Sequence, residues 1–110
     1  MLYYDLIKNA LLEKQSLTFT YHGLLRYVSP HVIGTDKGIQ KLLCYQYGGS
    51  TGNGLIYADS DKIWKCLFID EIEYLSVNRD LFQTAHSDIQ PQMCIINVDA
   101  QIRQLHDDSF

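Results

Sequence analysis

Apolar side chains recur every three to four positions in the first fourteen residues. Tyr3, Leu6, Ile7, Ala10 and Leu11 would fall on one face of a helix. The pattern predicts an amphipathic helix over residues 2–14, packed by that face onto the rest of the domain.

The pattern changes to strict alternation in the next segment. Leu17, Phe19 and Tyr21 alternate with polar residues over 17–22, which predicts a half-buried strand. Gly23 supplies a turn, and residues 25–33 form a second strand. Because Pro30 lacks an N–H, that strand has either an edge or a bend there.

The remaining apolar runs are short and separated by turn-forming residues. We predict strands over 39–47, 62–69 and 72–77, a short strand over 55–58, and a buried or edge strand over 93–98. Residues 35–38 form a turn, and the glycine-rich stretch 48–54 forms an exposed hairpin loop. Residues 78–91 are polar, with a helical turn near 80–85.

These elements predict a single domain over residues 1–110 of the mainly β (α+β) class. One N-terminal helix would precede a small curled sheet or partly open barrel. No apolar run approaches the ~20 residues that span a bilayer. The N-terminal stretch also lacks a basic leader and a small-residue cleavage site, so we expect a cytoplasmic protein with no membrane contact.

The cysteines Cys44, Cys66 and Cys94 each lie in an apolar run, without a C-x-x-C pair. This spacing favours buried free thiols over a disulfide framework or a zinc site. The four histidines are scattered, so no metal site is predicted.

The formal net charge of −4 is unevenly distributed. Residues 14–65 hold six basic and three acidic residues, a balance of +3, whereas residues 66–110 hold two basic and eight acidic residues, a balance of −6. The whole chain would repel a polyanion at long range, and only its middle would attract one. Charge alone therefore does not predict non-specific nucleic-acid binding.

The candidate chemistry lies among the middle strands. Residues 48–54 lack both the Gly-Lys-Ser/Thr ending of a phosphate loop and the spacing of a dinucleotide-binding loop, and the serines have no nucleophile-elbow context. Cations interleaved with aromatic rings can instead bind phosphates and stack bases. The residues of this type are Tyr21, Arg26, His31, Lys41, Tyr45, Tyr47, Trp64 and Lys65. They form either a binding face or an ordinary combination of core aromatics and surface cations.

The stretch YHGLLRYVSPH (residues 21–31) resembles the opening of the WYL domain, a family of bacterial regulators and small standalone proteins. The helix ending in LEK (12–14) and the strand LTF (17–19) look like its lead-in. YQYGGS (45–50) and WK (64–65) with IDEI (69–72) resemble its later motifs. The resemblance spans a core of residues 4–77, which leaves 78–110 as a C-terminal extension. The tripeptide that names the family falls at 40–42 (QKL), and Phe68 stands where the family usually has arginine.

The resemblance implies an SH3-like, partly open β-barrel of about five strands that senses a ligand, often a nucleotide or nucleic acid. Carried over by position, the ligand-binding residues would be Tyr21, Arg26, His31, Tyr45, Trp64 and Lys65. Arg26 would supply charge, His31 a hydrogen bond, and a tyrosine a stacking face.

We therefore expect a non-enzymatic ligand-binding or regulatory module with no catalytic residues, cofactor or metal. Its partner would be a small anionic or nucleotide-like ligand, or single-stranded nucleic acid. The alternative is a protein-interaction module, or a homodimer, with no nucleic-acid role. An ion pair between Arg26 and Asp70 or Glu71 would instead make the motif structural.

Overall fold

The computed structural model describes residues 2–51, 54–55, 63–84 and 94–102. The helix α1 spans Tyr3–Leu12 and buries Ile7, Ala10 and Leu11, as the spacing predicts. Among the described residues, no helix is long and apolar enough to cross a membrane.

All strand pairs are antiparallel, and the sheet is not closed. The strands are β1 (Leu17–Tyr21), β2 (Leu24–Asp36), β3 (Ile39–Thr51), β4 (Gly54–Leu55), β5 (Ile63–Phe68), β6 (Ile72–Val77) and β7 (Asn97–Gln101). They lie in the order β4-β3-β2-β1-β6, while β5 also pairs with β3 and β7 with β2. A single 3₁₀ turn, Ile69–Glu71, joins β5 to β6. The mainly β class with one leading helix is therefore confirmed.

The core lies on one face of the sheet, which we call the inner face. Phe19 of β1, Val28 of β2, Leu42 of β3 and Leu67 of β5 are buried there together with the apolar face of α1. The helix is held at two places, since Leu75 N–H donates to Tyr3 and the side chains of Tyr4 and Lys8 bond to Asp99 of β7. The opposite, outer face carries a smaller cluster of Val32, Leu43 and Ile95.

Two bulges interrupt the long β2–β3 ladder. Tyr27 pairs with Gly48 and Val28 with Gln46, so Tyr47 is the extra residue on β3. Pro30 pairs with Cys44 and Val32 with Leu43, so His31 is the extra residue on β2. A bulge re-aims the side chain of the extra residue. The bend predicted at Pro30 is therefore a bulge at the residue that follows it.

Several predicted boundaries are wrong. Residues 48–51 belong to β3 and are not an exposed loop, since β3 runs to Thr51. Residues 35 and 36 belong to β2, and the turn is confined to Lys37 and Gly38, both at positive φ. No helical turn occurs over 80–84, and the last strand begins at Asn97 rather than at residue 93. The predicted residues 52–53, 56–58, 62, 85 and 93 lie outside the described residues.

The prediction of three free thiols is also wrong. Cys66 of β5 and Cys94 form a disulfide with 6.5 Å between their Cα atoms, and of the three only Cys44 is free. The two cysteines are 28 residues apart in sequence, and the fold of the sheet brings them together. Closing a loop of this length removes about 3 to 4 kcal/mol of chain entropy from the unfolded state.

Gly49 is required for the strand pairing beside Arg26. Its φ is +85°, and a Cβ at this position would collide with Leu25 O and lie 3.0 Å from Arg26 Cα. Gly38 has a similar φ of +83° but open space around it. The two glycines therefore separate the cost of backbone strain from the cost of a steric collision.

Gly49→Ala should lower the free energy of unfolding by about 3 kcal/mol or more, because collision adds to backbone strain. The matched Gly38→Ala should cost only about 1 to 2 kcal/mol, the strain of the left-handed region. Urea unfolding followed by circular dichroism measures both. Equal losses in the two variants would contradict the role given to Gly49.

Candidate functional site

The structure divides the six predicted ligand-binding residues between the two faces of the sheet. Cys44 and Tyr45 are neighbours on β3, so their side chains point to opposite faces. Lys65 lies opposite Cys44 in the ladder, and Trp64 lies opposite Tyr45. Tyr21 and Arg26 belong with Lys65 on the inner face, whereas His31 contacts Trp64 on the outer face. The proposed Arg–His–Tyr cluster is thus two groups, which we describe separately.

We call the first group the Arg26 site, formed by Tyr21, Arg26, Gln46 and Lys65. Arg26 is opposite Phe19 in the β1–β2 ladder, which places its guanidinium against the inner face. The site lies where β1 ends at Tyr21, and α1 is anchored through Leu75 of β6 and Asp99 of β7.

The guanidinium of Arg26 is buried, with only 5% of the residue exposed. Nη1 donates to Gln46 Oε1 at 3.3 Å, Nη2 donates to the Tyr21 carbonyl at 3.2 Å, and the group lies 5.3 Å from the centre of the Tyr21 ring. Nε is buried with no hydrogen-bond partner. Burial lowers the pKa of Arg26, because an apolar surrounding disfavours the charged form.

No carboxylate in the described part of the chain pairs with Arg26. Glu71, which the sequence offers as a partner, bonds instead to His22 Nε2, and Asp70 forms no ion pair with Arg26. The described ion pairs are Lys8–Asp99, His22–Glu71 and Lys41–Asp36. A buried arginine is normally paired with an acid. Arg26 is the exception in this structure.

The surroundings of Arg26 add positive charge. Lys65 is half-buried on β5, on the far side of β3 from β2, and both Arg26 and Lys65 act electrostatically on the Cys44 thiol of β3, lowering its pKa. Burial outweighs that effect and raises the pKa of Cys44 to about 12, so the thiol stays neutral. The inner face thus holds two nearby cations beside a neutral thiol.

Tyr21 forms one wall of the Arg26 site. Its hydroxyl accepts a hydrogen bond from the Phe68 N–H, and its ring stacks on His22 with centroids 4.2 Å apart. Burial is the main reason that its pKa is raised. Phe68, which replaces the expected arginine, carries Lys41 over its ring at 5.5 Å. That lysine is already neutralised by Asp36 at 3.0 Å.

We call the second group the aromatic cluster, formed by His31, Tyr45, Trp64 and Phe82. The His31 ring lies 4.7 Å from Trp64 and 5.0 Å from Phe82, and Tyr45 lies 5.3 Å from Trp64. His31 Nδ1 donates to the Ser29 carbonyl at 2.7 Å, which leaves Nε2 as a buried acceptor without a partner. Burial lowers the pKa of His31 to about 4, so the ring is neutral near pH 7.

Residues 78–84, which we call the strap, cover this cluster. Asn78 bonds to Thr18 and to Tyr47, and the Gln83 N–H donates to Ser29 Oγ at 2.8 Å. Phe82 of the strap packs on His31. His31 is therefore buried under the strap, with 6% of the residue exposed.

Gln46 and Phe82 are the residues of these two groups that sequence reasoning did not select. Gln46 stands in the stretch compared with the family, but a glutamine among apolar residues carries no signal of an arginine partner. Phe82 is a single aromatic in a polar stretch, and its contact with His31 depends on the path of the strap. In the described segments, no group of three or more His, Cys, Asp or Glu side chains could hold a metal ion.

Lowering the pH should destabilise the protein through His31. Its pKa falls from 6.5 in the unfolded chain to about 4 in the folded chain, so below pH 6.5 the unfolded state binds the extra proton. The free energy of unfolding should fall by about 2 kcal/mol between about pH 7 and about pH 5, and the loss should level off below about pH 4. Urea unfolding at each pH measures this.

His31→Gln removes the titrating ring while the other histidines stay in place. The difference between the two pH profiles therefore isolates the contribution of His31. Parallel profiles for the variant and the parent protein would contradict the assignment.

Comparison with known proteins adds no relative to this picture. No protein-family model matches the chain, and neither a curated protein nor a solved structure matches it significantly.

Proposed function

We propose that the protein is a non-enzymatic module that binds a small anionic, nucleotide-like ligand at the Arg26 site. The observation that carries the proposal is the buried guanidinium of Arg26, which lacks a carboxylate partner in the described part of the chain. Removing a cation from water has a free-energy cost that an opposite charge offsets. An anionic ligand would provide that charge.

The chemistry of the site suits a phosphate or a carboxylate. Arginine binds such groups in bidentate fashion, and the half-buried Lys65 would add a second positive charge. Gln46 Nε2 is already committed to the carbonyls of Gly48 and Ser50, so it positions the amide oxygen that holds Arg26. The ligand would therefore contact Arg26 and Lys65, with Tyr21 as the wall behind them.

The resemblance to WYL domains supports the same function. The chain order of the strands also supports an SH3-like, partly open barrel as the finer description of the fold. β5 leads through the 3₁₀ turn into β6, which pairs with β1, and the bond from Phe68 N–H to Tyr21 brings the end of β5 to β1. Regulation by a bound ligand is part of this proposal, while the homodimer and the cytoplasmic location stay predictions.

Binding of anionic probes tests the proposal directly. We expect pyrophosphate, ATP or a labelled single-stranded oligonucleotide to bind at low salt and to bind more weakly at moderate salt. Arg26→Gln should weaken binding about ten- to a hundredfold, the value of a hydrogen bond to a charged group. Titration calorimetry or fluorescence anisotropy measures the affinity.

Lys41→Ala is the matched control, because Lys41 is a nearby strand cation that Asp36 already neutralises. It should leave the affinity unchanged. Lys65→Ala should also weaken binding. Because Lys65 is only half-buried, this variant replaces Arg26→Gln if that one proves too unstable to study. If no probe binds, or if the Arg26 and Lys41 variants behave alike, the proposal is wrong.

A second test uses the ligand-free protein. Arg26→Met replaces the uncompensated cation by an apolar side chain of similar length, so it should raise the free energy of unfolding by about 1 kcal/mol while abolishing anion binding. Chemical denaturation of the two proteins without ligand measures the change. A decrease in the free energy of unfolding would instead make Arg26 structural, because the loss of its hydrogen bonds to Gln46 and to the Tyr21 carbonyl would then outweigh the relief of the buried charge.

A further inference from the structure

The outer face of the sheet is partly covered by the segment that leads into β7. Ile95 is buried against Val32 and Leu43, and Trp64 and Cys94 pack at the margin of this cluster. Among the described residues, three are buried in this cluster, so the described part of the segment makes a small apolar contact with the sheet. The Cys66–Cys94 disulfide is the covalent part of that attachment.

Gly34 of β2 shows how closely the segment approaches. A Cβ at this position would collide with the Asn97 carbonyl oxygen and lie 2.8 Å from Ile95 Cγ2. The segment thus lies directly on the bare backbone of β2. Any side chain there would push it away from the sheet.

β7 is a peripheral strand, but it is connected both to α1 and to the bulge at His31. Val98 of β7 is 44% exposed and Ile96, just before β7, is 70% exposed, whereas Ala100 of β7 packs against the core of the inner face. Asp99 of β7 holds α1 through Tyr4 and Lys8, and the following Ile102 N–H donates to the carbonyl of His31. Loosening β7 would therefore loosen the helix and the bulge at His31.

We propose that the Cys66–Cys94 disulfide is a reversible redox site, opened at Cys66 by a dithiol reductant, and that its opening releases β7 from the sheet. Cys66 is exposed, whereas Cys94 is half-buried, so an attacking thiolate reaches Cys66 first. Exposed disulfides are the labile ones. The proposal does not depend on anion binding at Arg26.

The disulfide is reduced in two successive exchange steps. A thiolate of the reductant attacks Cys66 Sγ, a new S–S bond forms between them, and the Cys66–Cys94 bond breaks. Cys94 leaves as a thiolate and takes up a proton. The second thiol of the reductant then displaces Cys66, which leaves as a thiolate and is protonated in turn. The dithiol is oxidised to a disulfide, and two protein thiols are formed.

Cys44 does not take part in the exchange. It is fully buried on the inner face, and burial raises its pKa to about 12, which keeps it in the unreactive thiol form. It therefore serves as an internal reporter, since it becomes accessible only when the core opens.

The experiment treats the full-length protein with dithiothreitol without denaturant and then labels its thiols with a maleimide. We expect two labelled thiols in the folded, reduced protein, and all three cysteines of the chain after denaturation. Trp64 is the only tryptophan, and its emission should shift to the red as Ile95 and Cys94 leave it. Amide exchange of residues 97–102 should accelerate at least about tenfold, while that of β1 and β3 stays slow.

Three variants complete the test. Cys66→Ser/Cys94→Ser should reproduce the reduced state without reductant, and Cys44→Ala should leave the transition intact. Gly34→Ala should give the red-shifted emission of Trp64 even under oxidising conditions, because the collision at Asn97 undocks the segment.

Three results would overturn the proposal. The disulfide could resist dithiothreitol until denaturant is added. It could open without a change in Trp64 emission or in amide exchange over 97–102. Reduction could also make Cys44 accessible together with the other two thiols, which would make the bond a staple of the whole fold. Each of these leaves the anion-binding tests at Arg26 unaffected.

Discussion

The antiparallel ladder between β2 and β3 is the interaction on which the other elements depend. Each of these strands has thirteen residues, and every other described strand except β6 pairs with one of them. β1 and β7 add to β2, β4 and β5 add to β3, and β6 adds to β1. The two bulges at His31 and Tyr47 change the register of this ladder, and they thereby decide which side chains share a face.

The sequence predicts most of the fold, because the fold rests on short-range periodicity. Alternation identifies β1, the turn at Gly23 separates it from β2, and the three-to-four spacing identifies α1. Prediction from periodicity fails where a residue occurs outside its usual structural role. Gly48 and Gly49 resemble a loop, yet they belong to β3, because Gly48 packs against Tyr27 and Gly49 lies against the backbone of Leu25. Whether a glycine belongs to a bulged strand or to a loop depends on the partner strand, and the sequence alone does not identify that strand.

The candidate site is less predictable because it depends on which face each residue occupies. Arg26 and His31 are close in sequence, but they are five residues apart on β2, so the alternation of side chains along the strand puts them on opposite faces, with His31 against Trp64. The disulfide escapes prediction for a different reason. Cys66 and Cys94 lie on separate segments, and only the docking of Ile95 on the outer face brings them together. The disulfide therefore depends on a tertiary contact that has no local signature.

The two faces of the sheet are covered by different parts of the chain, and this difference bears on the proposed anion site. The outer face is occupied by the chain itself, since the strap covers His31 and Ile95 covers Val32 and Leu43. The inner face is filled with apolar side chains and α1 except where Arg26 and Lys65 act on Cys44. A core that offered only packing would place an apolar residue at Arg26, because a buried cation without an acid lowers stability. Packing alone therefore does not explain an arginine at this position, and we propose that an anionic ligand provides the missing negative charge.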